Sequence, residues 1–325
     1  MNGAASGTSR RVFLGRAAGA AAAVAGASVG AGAIAGSAAA AKPHRTYTAG
    51  RFALELDGVD CGRLAGVIGG DLNGDVVLDI VGPDLVQRKH IGGVKYEDFT
   101  LQVGSGMSKN FYSWMKNSFD GKIERRSATI VSGDSNWNER SRRAASQAFI
   151  SSVTIPALDG ASKDPAYLTV NLSSDKVTPG KPSGQPIQAA KQKAWLPSNF
   201  VFEIDGVDTS RVASIDSFTW KCSIENGSFV LDVSDIVVSF PHADVASWRQ
   251  WYSNMISGAN DERHGALTLK GANGGAVATF QLENLGLYKL FSITGEVQPA
   301  GVAKQKRFNA EMYVERMRLL PTVNK

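Results

Sequence analysis

The chain states one segment twice. Phe52-Ala53-Leu54-Glu55-Leu56-Asp57-Gly58-Val59-Asp60-Cys61-Gly62-Arg63 returns 148 positions later as Phe200-Val201-Phe202-Glu203-Ile204-Asp205-Gly206-Val207-Asp208-Thr209-Ser210-Arg211, with seven of twelve positions identical. A catalytic motif need occur only once in a chain. A duplicated segment predicts a duplicated building block, whose use is shape, and it constrains the fold before any search for active sites.

The chain divides accordingly. A first unit spans residues 52–176 and a second spans residues 200–320. Between them, residues 177–199 include Thr178-Pro179-Gly180-Lys181-Pro182-Ser183-Gly184-Gln185-Pro186, the composition of a linker. Inside each unit the apolar period is mostly two. Phe52, Leu54 and Leu56 alternate with Ala53, Glu55 and Asp57, as Phe200, Phe202 and Ile204 alternate with Val201, Glu203 and Asp205. Such alternation predicts a half-buried strand. Phe99, Leu101 and Val103 repeat the pattern, with Ile236, Val238 and Phe240 as counterparts.

The period then turns helical. Phe111, Trp114, Met115 and Ser118 share one helix face, and so do Val245, Trp248, Tyr252 and Met255. Ser108 and Asp244 are the expected N-caps, and Gly121 and Gly258 the expected C-terminal glycines. Trp114 and Trp251 align at an offset of 137. Further strands are expected at 128–131, 149–155, 168–172, 266–269, 277–282 and 310–316. The expected fold is mainly β: two tandem antiparallel β-barrel or sandwich domains, each with one short flanking helix.

The offset falls from 148 to 137 between first strand and helix, so the first unit carries 11 extra residues there. They belong between Asp75 and Gly93. The second unit has Ile224-Glu225-Asn226-Gly227-Ser228-Phe229 instead, and Asn-Gly between apolar residues predicts a tight hairpin.

Residues 1–41 read as a leader. Ser9-Arg10-Arg11-Val12-Phe13-Leu14-Gly15 is a twin-arginine export motif, followed by an Ala/Gly-rich run that ends in Ala38-Ala39-Ala40-Ala41. The expected localisation is outside the cytoplasm: extracellular, cell-surface or periplasmic. No later stretch approaches ~18 apolar residues, so no membrane span is expected after cleavage. The net charge is +5, and removing Arg10, Arg11 and Arg16 leaves +2. So small a surplus predicts no nucleic-acid partner. Arg125, Arg126, Arg140, Arg142 and Arg143 are interrupted by Glu124 and Glu139, which reads as a solvated loop. The two cysteines, Cys61 and Cys222, do not align between repeats and are expected as small buried residues, not a bridge.

The order of parts carries a resemblance. Phe-x-Leu/Phe-Glu-Leu/Ile-Asp-Gly-Val opens each half. In the first, Arg88-Lys89-His90-Ile91-Gly92-Gly93 leads to Tyr96-Glu97-Asp98-Phe99-Thr100-Leu101 and a Trp-bearing helix. The chain resembles the tail-tube proteins of contractile bacteriophage tails and related injection machines, a family whose fold the type VI secretion tube protein shares. The resemblance spans nearly all of residues 42–325, once per half. It implies domains that join side by side into six-membered rings, strands continuing from one to the next, and rings that stack into a hollow tube. It also implies a stacking loop, here about Ile80 to Gly92. The chain departs from that pattern in having two domains, an export signal, and no long loop in its second half. The expectation is therefore a secreted structural protein, partnered with itself, in which three two-domain chains make a pseudo-sixfold ring. An alternative is the tube of a contractile injection system, with sheath and baseplate as partners. Another is a secreted ligand-binding β-protein or an esterase.

Three constellations bear on chemistry. Gly133-Asp134-Ser135-Asn136 and Asp261-Glu262-Arg263-His264 match, in order, the serine and Asp-x-x-His blocks of a secreted esterase family. That serine belongs near the mature N-terminus of an α/β fold, whereas these blocks fall in different repeats, at turns that look equivalent. Asp71-Leu72-Asn73-Gly74-Asp75-Val76-Val77-Leu78-Asp79 has the carboxylate spacing of a calcium loop, but Val76 stands where its sharp turn needs Gly. His44, His90, His242 and His264 stand apart from one another and from cysteine. No catalytic, cofactor-binding or metal-binding residue is assigned, no cofactor is implied, and no enzyme activity is expected.

Overall fold

In the computed structural model, which describes residues 50–293 and 307–320, the first half opens with β1 (Arg51–Leu56), β2 (Val59–Leu64), β3 (Gly66–Ile68), β4 (Leu72–Leu78), β5 (Lys89–Tyr96) and β6 (Phe99–Val103). Helix α1 (Lys109–Phe119) follows, then β7 (Arg126–Gly133), β8 (Glu139–Ile155), β9 (Leu158–Asp159), β10 (Leu168–Ser173) and β11 (Lys176–Gly180). The second half contains β12 (Phe200–Ile204), β13 (Ser214–Ile215), β14 (Phe218–Glu225), β15 (Ser228–Val233) and β16 (Ile236–Pro241). A short 3-10 turn leads into α2 (Val245–Ile256), and β17 (Arg263–Lys270), β18 (Ala276–Ile293) and β19 (Arg307–Leu320) complete it. The fold is mainly β and its sheets are antiparallel. The arginine-rich stretch expected as a solvated loop is instead largely strand: Arg126 begins β7, and Arg140, Arg142 and Arg143 lie in β8. The twin-arginine leader expected at residues 1–41 lies outside the described residues. Among the described residues no helix is long and apolar enough to cross a membrane.

Two sheets follow the same strand order. One runs β1-β7-β8-β10-β6-β3, with β2 outside β1; the other runs β12-β17-β18-β19-β16-β13. Alternation sets which faces are buried. Phe99, Leu101 and Val103 of β6 point into the core while Thr100 and Gln102 do not; Ile236, Val238 and Phe240 of β16 do the same.

Each helix packs its apolar stripe onto this core. Phe111, Trp114, Met115 and Ser118 of α1 are buried, as are Val245, Trp248 and Trp251 of α2, while Tyr252 and Met255 are only partly covered. Ser108 caps α1, its hydroxyl accepting from the Phe111 N–H at 3.4 Å. Asp244 holds the corresponding place but makes no such bond; its carboxylate pairs with Arg211 instead. Both helices end alike. Gly121 and Gly258 take left-handed φ of +79° and +81°, and the next N–H reaches back five residues, Lys122 to Asn117 O at 2.8 Å and Ala259 to Asn254 O at 3.2 Å. The indole N–H groups of Trp114 and Trp251 donate to the Glu124 and Asp261 carbonyls at 2.9 and 2.8 Å, again at matching positions.

Residues 177–199 connect the halves as a strap against the first one. The strap donates from Ile187 N to Trp137 O at 2.7 Å and accepts at Ala190 O from Arg63 N at 2.9 Å. Ala189 is buried with Ala53 and Val131, and Trp195 joins the main core. The outward face of β1 is thus covered at Ala53, which strict alternation places in solvent.

Candidate assembly interface

The two halves meet through strands. Phe218–Lys221 of β14 pairs antiparallel with Ile155–Ser152 of β8, so the hairpin β14–β15 extends the sheet of the first half. The turn at its tip is Asn226-Gly227, with φ of +50° and +79°, the two positive values a tight hairpin needs. A second, shorter pairing joins β13 to β9. Side chains lock the joint. Trp220 stacks on Phe119 at the end of α1, with ring centroids 4.6 Å apart and planes 28° apart. The Thr154 and Thr219 hydroxyls lie 2.9 Å apart. The apolar core is continuous across the joint.

The same parts stand unjoined elsewhere in the chain. Moving 137 positions from Phe119 gives Ile256, and moving back 148 from Trp220 gives Leu72. Phe119 and Trp220 are 0% and 1% exposed, whereas Ile256 and Leu72 are 65% and 62% exposed. The β8 segment Ser152–Ile155 corresponds to Lys289–Ser292 of β18. That segment pairs with Glu311–Phe308 of β19 on one side, and no described strand lies on the other. The chain therefore holds one closed joint and, far apart in sequence, the two halves of an open one.

Leu72 begins an arm. Strands β4 and β5 pair only with each other, and the expected loop at Ile80 to Gly92 is in part strand, because β5 already starts at Lys89. Val76, Leu78, Ile80, Leu85, Ile91 and Val94 of this arm are exposed. A lone two-stranded hairpin is marginal in water, and clustered exposed apolar side chains mark an interaction surface. Its acids have local partners: Asp75 meets Lys95 at 2.8 Å, Asp79 meets His90 at 3.0 Å and Asp84 meets Arg88 at 2.7 Å.

The other sequence candidates fall into structural roles. Gly133-Asp134-Ser135-Asn136 begins the β7–β8 turn, where the Asp134 carboxylate accepts from Asn136 N and Asn138 N at 2.9 and 3.0 Å and binds Arg140. The Asn138 amide, with Arg140, holds this carboxyl below its usual range. Asp261 follows α2 and matches Glu124, not Asp134, so the two esterase blocks occupy non-equivalent turns, contrary to expectation. Asp261 is engaged by Arg263 and Asn254, both at 2.8 Å, and Arg263 depresses its pKa first of all. His264 is an exposed residue of β17. The calcium-like stretch is β4, with Asp71 beside Arg143 at 3.3 Å and the other two acids paired as above, so its carboxylates are spread along a strand. His242 packs against Phe308, and His44 lies outside the described residues. Cys61 and Cys222 are free and buried, and burial pushes both thiols up.

Comparison with known proteins bears on this geometry. Residues 48–178 match the family model of the T4-like virus tail tube protein gp19. The first repeat is similar to tail tube proteins. The match covers less than half of the chain and leaves the second repeat outside it. Among curated proteins none matches. Three solved structures are similar at low identity. The cap of the anti-feeding prophage (AFP tube terminating cap) is 24% identical, with a TM-score of 0.35 over 44% of this chain and 94% of its own. The extended PVC sheath/tube terminator of an extracellular contractile injection system is 21% identical, with a TM-score of 0.34 over 44% and 100%. Hcp1 from Flavobacterium johnsoniae is 18% identical, with a TM-score of 0.28 over 40% and 94%.

Proposed function

We propose that the protein is a non-enzymatic structural subunit that assembles with copies of itself into rings and a hollow tube or filament, each chain supplying two tandem tail-tube-like units. The carrying observation is the closed joint between the halves, with its two open counterparts at Leu72 and Ile256. In this reading the β4 end of the arm from one chain adds to the Lys289–Ser292 edge of the next, and Leu72 covers Ile256. An open strand edge is a template for pairing, and a head-to-tail contact that closes on itself uses every edge. Three chains supply six units and three arms. The family match of residues 48–178 supports the tube role, and Arg10-Arg11 in its leader context supports export by the twin-arginine route. Sheath and baseplate partners belong to the same reading if the tube serves an injection machine.

Negative-stain microscopy of the purified chain over a concentration series tests the proposal. Rings or hollow tubes that grow with concentration are expected. Monodisperse single chains at every concentration would overturn it.

A further inference from the structure

One site lies where the strap crosses the first repeat and plays no part in the joint. Arg51, Arg63, Leu64, Trp137, Lys191 and Gln192 line a cavity of about 420 Å³. The Arg63 guanidinium lies on the Trp137 indole, 3.5 Å from the ring centroid, and that of Arg51 is 5.1 Å from it. Stacking on an aromatic face fixes a guanidinium plane and leaves its N–H edge free to bind. The Arg63 Nε–H is buried and meets no acceptor among the described residues. A buried donor left without a partner is costly, so such a group calls for an explanation. Among the described residues, none of Arg51, Arg63 and Lys191 is held in an ion pair. The nearest acid on the strand, Asp60, is occupied by the Gly62 N–H at 3.0 Å.

The cavity is built at a conformational cost. Trp137 has a φ of +64°, a left-handed backbone that a bulky side chain rarely adopts. It is pinned there from both sides, its N–H donating to Asp134 O at 3.0 Å and its carbonyl accepting from Ile187 at 2.7 Å. The second repeat does without all of this: the position matching Trp137 is Gly274, and Arg211, matching Arg63, is paired with Asp244. The fold therefore does not require the arrangement.

We propose that this cavity is a binding site for a small organic anion, held by its carboxylate or phosphate between Arg63, Arg51 and Lys191. A charge-assisted, forked contact to the Nη edge of Arg63 would hold such a group. Leu64 and Trp137 line the site beside its cations, so the ligand carries a further apolar body that rests on them.

Calorimetric titration of the full chain with inorganic phosphate, phenyl phosphate and benzoate tests the site. Phenyl phosphate or benzoate is expected to bind saturably, and at least tenfold more tightly than inorganic phosphate. Which of the two wins tells a phosphate site from a carboxylate site. Arg63→Gln is expected to weaken binding at least tenfold. Trp137→Gly suits the left-handed backbone and so keeps the fold, as read by circular dichroism, yet it should lose binding as well. Lys221→Gln, on β14 of the other half, should bind as the unaltered chain does. Absence of saturable binding by all three anions, or binding unchanged in Arg63→Gln and Trp137→Gly, would overturn the proposal.

Discussion

Trp220 and Leu72 occupy matching positions in the two repeats, as do Phe119 and Ile256, yet one pair is stacked in the core and the other is spread over the surface. The repeats share strand order, helix caps and even the indole hydrogen bonds. They differ in what each edge has beside it. The linkage within one chain closes the first joint, and among the described residues no strand reaches the second. A side chain's role here follows from its place in the series of repeats more than from its own repeat. The closed joint holds two aromatic rings where the open halves offer two aliphatic side chains, so an assembly built as proposed would have strong and weak joints in alternation.

That contrast can be broken by substitution. The largest effect is expected from Trp220→Ala, which empties a buried site and should cost about 3–5 kcal/mol in urea unfolding. Leu72→Ala, its exposed counterpart, should stay within about 0.5 kcal/mol in the dilute single chain. Equal losses in the two variants would mean that the positions are not counterparts. Next comes Ile256→Lys. The new cation sits at a helix C-terminus, where it is tolerated, so the melting temperature should hold while rings disappear from micrographs. Rings that persist would place the contact elsewhere. Ser108→Ala removes the cap that α2 lacks and should cost about 1 kcal/mol, whereas Ser257→Ala, beyond the α2 stripe, should cost less.

The smallest effect concerns the strap. Burial raises the Glu139 carboxyl, but Arg142 and Ser183 overcome this and hold it below its ordinary 4.5. Arg142 binds Glu139 at 2.7 Å and also reaches Glu55 at 3.1 Å, which ties β8, β1 and the strap together. A depressed folded pKa stabilises above the unfolded value, and that contribution is lost as pH falls through the folded one. Stability should therefore drop below about pH 4.5 more steeply in the unaltered chain than in Glu139→Gln. Parallel pH profiles of the two would show that this network does not hold the strap.

Much of this was legible in the sequence because burial imposes a period. Alternation located β1, β6, β12 and β16, and the helical spacing located both helices with their glycine ends. The joint was not legible. Whether β14 pairs within its own half or with β8 leaves the same alternation, since a strand's apolar face says nothing about which edge its backbone meets. The strap hid behind its Pro and Gly content, although Ala189 and Trp195 are buried. Gly92 and Gly93 disguised β5 as loop. The anion cavity left one readable trace: a tryptophan at position 137 where the matching position is Gly274.

In the proposed assembly, Leu72 of one chain meets Ile256 of another. This contact is tested most directly by a Leu72→Cys, Ile256→Cys double variant treated with a short thiol cross-linker; the native Cys61 and Cys222 are buried and stay out of reach. The account predicts covalent pairs and triples on a denaturing gel, with the series stopping at three chains. Rings that form normally but yield no cross-link, or a ladder that runs on past three, would contradict it.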